Sequence, residues 1–452
     1  MKERLDFDSS RLPERACPAF DKWYAEINPA RITLIFPAAS LNNPASMYGH
    51  TLLRIDPPAH RGATTLASYA LNFAAQTNES NGLMFAVKGL TGFYKGRFAI
   101  LPYYDKVQSY GDIENRDIWE YDLNFTHAQT RMIMMHAWEL DEVDFDYYFF
   151  DENCSYQLLS LLEAARPSLH LTDRFFYHAI PSDTVRVTVV SPGILGDINF
   201  RPSLRTRINW RADGMSDDEL ALALAITQAG FKKRAAELAT YDPQAQARIL
   251  DTAYDLRQYR YNRAGGDRAA HALVSLDLLR LRSQLAAGET VPSHHATGAA
   301  PHESHASARA DFGIGSLDDT AFAELRIRPA YHDLLDPPTG FTEGAEINMF
   351  ALALRGYESG SVQLESLEFV DILSLSPRSR LFKPLSWGVN RAGLGFLDRL
   401  ISDKSHRCSG RLGARGDDDE TTPTQPFAAV QGPGGAGRAA WRQNPGRVGL
   451  AV

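Results

Sequence analysis

The chain has only three cysteines, Cys17, Cys154 and Cys408, too few and too scattered for a disulfide framework but compatible with a free, working thiol. It has no run of about 18 apolar residues, so no stretch reads as a membrane-spanning helix. The opening MKERLDFDSSRLPERACPAF lacks the apolar core of a signal peptide, and nothing in it addresses the chain to the envelope. A long basic run is missing too, and the net charge of -8 argues against nucleic acid as a partner.

At 452 residues the chain is too long for one ordinary core. Residues 1–30 read as an N-terminal extension and 31–205 as a first unit. RITLIF (31–36) is a buried-strand candidate, followed by the loop LNNPASMYGH. TLLRID, a Pro-Pro-Ala-His-Arg-Gly turn and TTLASYALNF then read as a β-hairpin. Residues 97–104 and 115–123 are further strand candidates, and KGLTGFYKGRF (88–98) reads as a solvated loop. Thr126 and Gln129 form a capping box that opens a helix to about Leu140. CSYQLLSLLEAAR has helical spacing and is stopped by Pro167, and TVRVTVV (184–190) reads as extended. Residues 210–288 read as helices with breaks at Pro243 and Gly265–Gly266, and 289–308 as a polar linker. Residues 309–400 are β-rich, and 401–452 lose all periodicity, as expected for disorder or for a reading-frame error that cuts the β region short.

A thiol attacks only as thiolate, and its free pKa of about 8.5 leaves little at neutral pH. Asn153 is a good N-cap, with Cys154 as the first helical residue and Ser155 behind it. A helix start favours an anion, and its free N–H groups offer an oxyanion hole that Asn153 and Ser155 would support. His50, where a Gly-containing loop enters a strand, is the best base among 13 histidines. With the hairpin turn centred near Arg61, His50 faces Asn72, because the numbers sum to 122, and Ser68 is the fallback on that face. Asn72 would orient the imidazole. The plainer readings stand beside these: a lone cysteine at a helix start is more often structural, and a separation of 104 residues does not join the two.

Tyr48, Phe93, Tyr94 and Lys95 are candidates to line a substrate site, against core packing or a solvated loop. Lys88 and Arg97 share that alternative with Lys95. His294, His295, His302 and His305 sit in the linker without preset geometry, so no metal and no cofactor is expected. Asp141, Glu142, Asp144 and Asp146 read as a solvated loop, and Glu152 is expected to point away from the thiol.

The strings NNPASMYGHTLLRID, SYALNF and FFDENCSYQLLSLLE resemble the Lnb N-terminal periplasmic domain family, over about residues 20–200. The resemblance implies an α+β fold: a circularly permuted papain-like (NlpC-like) domain, then a helical segment and a β-rich C-terminal region. In that order the histidine strand precedes the cysteine helix, as Gly49–His50 precedes Asn153–Cys154 here. It implies His50 and Cys154 as the catalytic pair and Asn72 as the polar third member. The implied function is an envelope lipoprotein N-acyltransferase, taking an acyl chain from a phospholipid through a Cys154 thioester to an amine. The implied place is the periplasm, with membrane association through the envelope. Two alternatives stay open: a cell-wall peptidase or amidase with the same dyad, and a non-catalytic envelope module with Cys154 buried far from His50.

Overall fold

The computed structural model describes residues 15–41, 46–60, 62–77, 82–227, 234–286, 300–317 and 319–392, with Arg11, Glu79 and Gly288 singly. The histidines at 294 and 295 and the 401–452 tail lie outside the described residues. The architecture is α+β, with two antiparallel sheets and helices between them.

The chain opens with α1 (Pro18–Ile27), β1 (Arg31–Pro37), β2 (Leu52–Asp56), β3 (Tyr69–Gln76), α2 (Gly82–Leu90), β4 (Tyr94–Pro102) and α3 (Tyr103–Val107). A π-helical turn (Gln108–Ile113) leads to β5 (Ile118–Leu123), α4 (His127–Glu139), β6 (Phe145–Tyr147), α5 (Cys154–Ala165), α6 (Pro181–Val190) and β7 (Leu195–Arg201). The sheet order is β6-β4-β3-β2-β1-β5-β7. Alternation along β2 sends Leu53 and Ile55 into a core shared with Leu158 and Leu162 of α5. Leu52 goes to the opposite face, with Tyr103 and Tyr110.

Four local expectations change. The N-terminal stretch is not a bare extension: Phe20, Trp23 and Ile27 of α1 are buried, and Trp23 meets Trp138 of α4 at 5.1 Å between ring centroids. TVRVTVV is helical, because Pro181 starts a turn and Val185 and Val189 then fall on one buried face. The 88–98 segment is the end of α2, a turn and the first half of β4. Of the linker stretch, residues 300–308 pack on α6, where Ser307 N–H donates to Asp183 at 3.2 Å.

The middle unit contains α7 (Leu204–Asp213), α8 (Asp217–Ile226), α9 (Ala235–Leu238), α10 (Pro243–Ala264) and α11 (Arg268–Ser283) around their own core. The C-terminal sheet contains β8 (Arg309–Leu317), β9 (Thr320–Arg328), β11 (Ala345–Tyr357), β12 (Val362–Ser374) and β13 (Trp387–Ala392), with β10 (Ala330–His332) paired on β11. One end of it packs on the first unit, where Tyr331 meets Tyr48 edge-on at 5.2 Å and Ile347 and Ile372 join the same cluster.

Candidate active site

Gly49 aims His50. Its φ is +87°, and a Cβ there would sit 2.5 Å from the Phe36 ring. Gly49→Ala should therefore lower stability by about 2 kcal/mol; an unchanged urea midpoint would show that the turn relaxes freely.

The next link is Asn72, buried on β3. Its Oδ1 lies 2.8 Å from His50 Nε2. The carbonyl oxygen only accepts, so Nε2 carries the proton and Nδ1 is left with a free lone pair. The hairpin register is not the one expected from sequence. Leu53 pairs with Leu71 and Ile55 with Tyr69, so facing residues sum to 124 rather than 122. A slip of two keeps every side chain on its face, and Asn72 reaches His50 diagonally. Ser68 is engaged elsewhere, donating to Asp56 at 2.7 Å.

Burial pushes the His50 imidazole down to about 3, against the opposing Asn72 hydrogen bond and with help from the positive charges of Arg116 and Lys106. Tyr110 packs 5.9 Å from the ring. Arg116 ties the loop before His50 to β1 by donating to Ser46 Oγ at 3.0 Å and to Pro37 O at 2.9 Å.

Asn153 caps α5 as its sequence position indicates. Its Oδ1 accepts from Ser155 N–H at 3.0 Å and Tyr156 N–H at 3.3 Å, and from the Ser155 hydroxyl at 2.7 Å. Its Nδ2 donates to Phe149 O at 3.0 Å and Ala179 O at 2.6 Å. The cap thus occupies the first-turn N–H groups that the sequence offered to an oxyanion.

Cys154 is buried, and burial pushes its thiol up; hydrogen bonds from the Thr51 amide and hydroxyl, the Tyr147 hydroxyl and the Ser155 amide oppose this only in part. The expectation that the helix start would lower this pKa is corrected: desolvation outweighs the cap. Thr51 directly follows His50, so one dipeptide carries the imidazole and touches the thiol. Its hydroxyl is buried and otherwise unpartnered. Glu152 is exposed.

Tyr147 is the residue that sequence reading missed. Burial raises its phenol well above the ordinary value, and it accepts from the Cys154 amide. Its signal was the alternation Phe145–Asp146–Tyr147, which puts both rings on one face of β6 and the carboxylate on the other. Stacking on Phe73 at 5.8 Å holds the phenol in place.

The proposed lining residues do not gather at one place. Tyr48 packs beneath the C-terminal sheet. Phe93 is exposed, Tyr94 is buried and pairs in register with Tyr147, and Lys95 forms an ion pair with Asp146. Arg97 pairs with Asp144, and Lys88 with Glu79 at 2.7 Å. A mostly apolar groove lies between α1, α4 and the β3–β4 pair, walled by Trp23, Leu71, Phe98, Ile100 and Trp138, with Asp141 also lining it.

His305, His332 and Asp336 do come together, with His305 Nε2 2.9 Å from His332 Nδ1 and 3.6 Å from Asp336. Arg309 and Arg328 sit on that one carboxylate at 2.5 and 2.6 Å, which neutralises it and repels a cation. His302 instead packs edge-on against Tyr121 at 5.4 Å.

Residues 19–190 match the model of the Lnb N-terminal periplasmic domain. The first unit is thus similar to that periplasmic domain. The matched range holds His50, Asn72, Tyr147 and Cys154. Residues 198–294 match the model of a domain of unknown function, DUF7842, and residues 299–417 that of another, DUF7840. No curated protein and no solved structure matches the chain significantly. No helix among the described residues is long and apolar enough to cross a membrane.

Proposed function

We propose that the Lnb-type domain is a cysteine-dependent acyltransferase of the bacterial envelope, built on a circularly permuted papain-like fold. The observation that carries this is the Asn72–His50 hydrogen bond, which leaves Nδ1 unprotonated on the residue next to Thr51, itself against the thiol. His50 Nδ1 takes the Cys154 proton as sulfur attacks the ester carbonyl of a phospholipid. The tetrahedral oxyanion draws on the Thr51 amide and the Tyr147 hydroxyl rather than on the capped helix turn. Collapse expels the lysolipid alcohol, which takes the proton back from His50, and leaves a thioester. An amine, such as a lipoprotein N-terminus, then attacks. Its proton passes through His50 to the departing thiol, and the N-acyl product leaves.

The apolar groove favours an acyl chain over a cell-wall peptide. Its wall residue Phe98 packs on Phe73 at 4.9 Å, and Phe73 stacks on Tyr147, so groove and thiol share one aromatic core.

Incubation with phosphatidylethanolamine vesicles, acid quench and intact mass measurement should find one acyl mass on the protein. Hydroxylamine should release it, and Cys154→Ala should lack it. An adduct formed only with a murein peptide would favour the amidase reading. No adduct with either substrate would favour the non-catalytic module.

A further inference from the structure

We infer that the middle helical unit is a working part of the thiol site: its Asn262 and Arg207 hold the turn that seats Tyr110 against His50, and so act as positioning residues for the base. That role rests on the acyltransferase reading of the dyad.

The turn is the π-helical one, Gln108–Ile113, which continues α3. π-turns are rare and concentrate at functional sites. This one carries Tyr110, buried, with its ring 5.9 Å from the His50 ring. Lys106, four residues earlier, stands 5.7 Å from the centre of the Tyr110 ring, and the Arg116 guanidinium 5.0 Å from it. Glu114 and the Cys154 sulfur also act on the Tyr110 hydroxyl. Tyr110 is thus a wall shared by both members of the dyad.

A helical turn leaves its last carbonyls without partners of its own. Here Ser109 O accepts from the Glu114 amide at 2.9 Å, and Tyr110 O from the Arg116 amide at 2.8 Å. Asp112 O is served from the middle unit instead, by Asn262 Nδ2 on α10 at 3.1 Å. On the same residue, Arg207 of α7 faces the Asp112 carboxylate at 3.8 Å. Arg207 is itself fixed, since its Nε donates to Asp255 at 3.3 Å and Asp255 also accepts from Arg211 at 2.5 Å. Burial raises the Asp112 carboxyl, which marks this joint as partly shielded from water.

The consequence falls on His50. The charges that act on it come from Lys106 on α3 and Arg116 before β5, and Asn72 on β3 bonds its Nε2. Burial is the largest cause of its lowered pKa, so whatever packs on the ring sets its protonation. Releasing Asp112 frees Tyr110 to leave the ring. Water then enters, and His50 takes a proton at a higher pH, where transfer needs it neutral.

The test is an NMR titration of the full chain with labelled imidazoles, using His50→Ala to assign the His50 signal. In the wild type that signal should hold its neutral position from pH 8 to 5. In Asn262→Leu/Arg207→Gln the protonated fraction of His50 at pH 5 should be at least about tenfold higher, and kcat for transfer should fall at pH 5 relative to pH 8 with KM unchanged. Asn262→Leu alone, which keeps the Arg207 ion pairs, should show the same change in smaller measure. Arg248→Gln is the control: it breaks the 2.8 Å pair with Glu219 inside the middle unit and leaves the turn alone. A His50 signal unchanged in both Asn262 variants overturns the inference. An equal change in Arg248→Gln does so too, because general loosening of the unit would then be the cause. The titration needs no substrate, so a wild type that gains no acyl mass would sink the transferase reading while the titration still decides the positioning.

Discussion

His50→Ala should cut acyl transfer about 10²–10⁴-fold, the usual contribution of a positioned general base. The pH dependence gives the sharper form. His50 is held down to about 3 and the Cys154 thiol is pushed up, so the resting pair is neutral thiol and neutral imidazole. Alkylation by iodoacetamide, which needs preformed thiolate, should fall about tenfold per pH unit below the thiol's pKa. Transfer to substrate should stay level from pH 7 to about pH 5, because the base remains unprotonated until the pH nears its lowered pKa. Alkylation of the wild type that is flat down to pH 5 would mean a resting thiolate–imidazolium pair and sink the neutral-pair reading. Transfer that survives His50→Ala undiminished would remove His50 from the reaction. Tyr147 belongs to the same experiment, since the phenol is among the groups that stabilise the sulfur anion.

Arg54→Ala should destabilise the first unit by about 3–5 kcal/mol, the cost of leaving buried carboxylates without their cation. Arg54 lies on the opposite face of β2 from Leu53, and its guanidinium donates to Asp56 at 2.8 Å and to Glu120 at 2.5 Å. Glu120 also accepts from Arg201 at 2.9 Å and Tyr103 at 2.9 Å. Burial alone would raise the Glu120 carboxyl, but the two arginines outweigh it and hold the pKa below the ordinary value. Its stabilisation is therefore present at neutral pH and lost as pH falls through that lowered pKa. Calorimetry should show the transition of this unit falling on the order of 10 °C. Arg234→Ala is the control, because its 2.8 Å pair with Glu237 is exposed and is worth under about 1 kcal/mol. Equal shifts in the two variants would mean that the Arg54 network carries no special weight.

Much of the site was legible because its signals are short-range. A cap is settled within four residues, and Asn153 and Thr126 both cap helices in the structure. The pairing of His50 with Asn72 was legible for a subtler reason. A two-residue error in register preserves the face, so the arithmetic named the right partner from the wrong turn centre. TVRVTVV misled because β-branched text describes a preference, and burial of Val185 and Val189 on one helical face overrides it.

The sequence by itself determined the order of His50 before Cys154, the helix that begins at the thiol and the α+β class. Tertiary structure alone decided the sign of the thiol's pKa shift, because desolvation is a property of everything packed around the sulfur. It alone brought Thr51 and Tyr147 to Cys154, since Thr51 arrives just before β2 and Tyr147 at the end of β6.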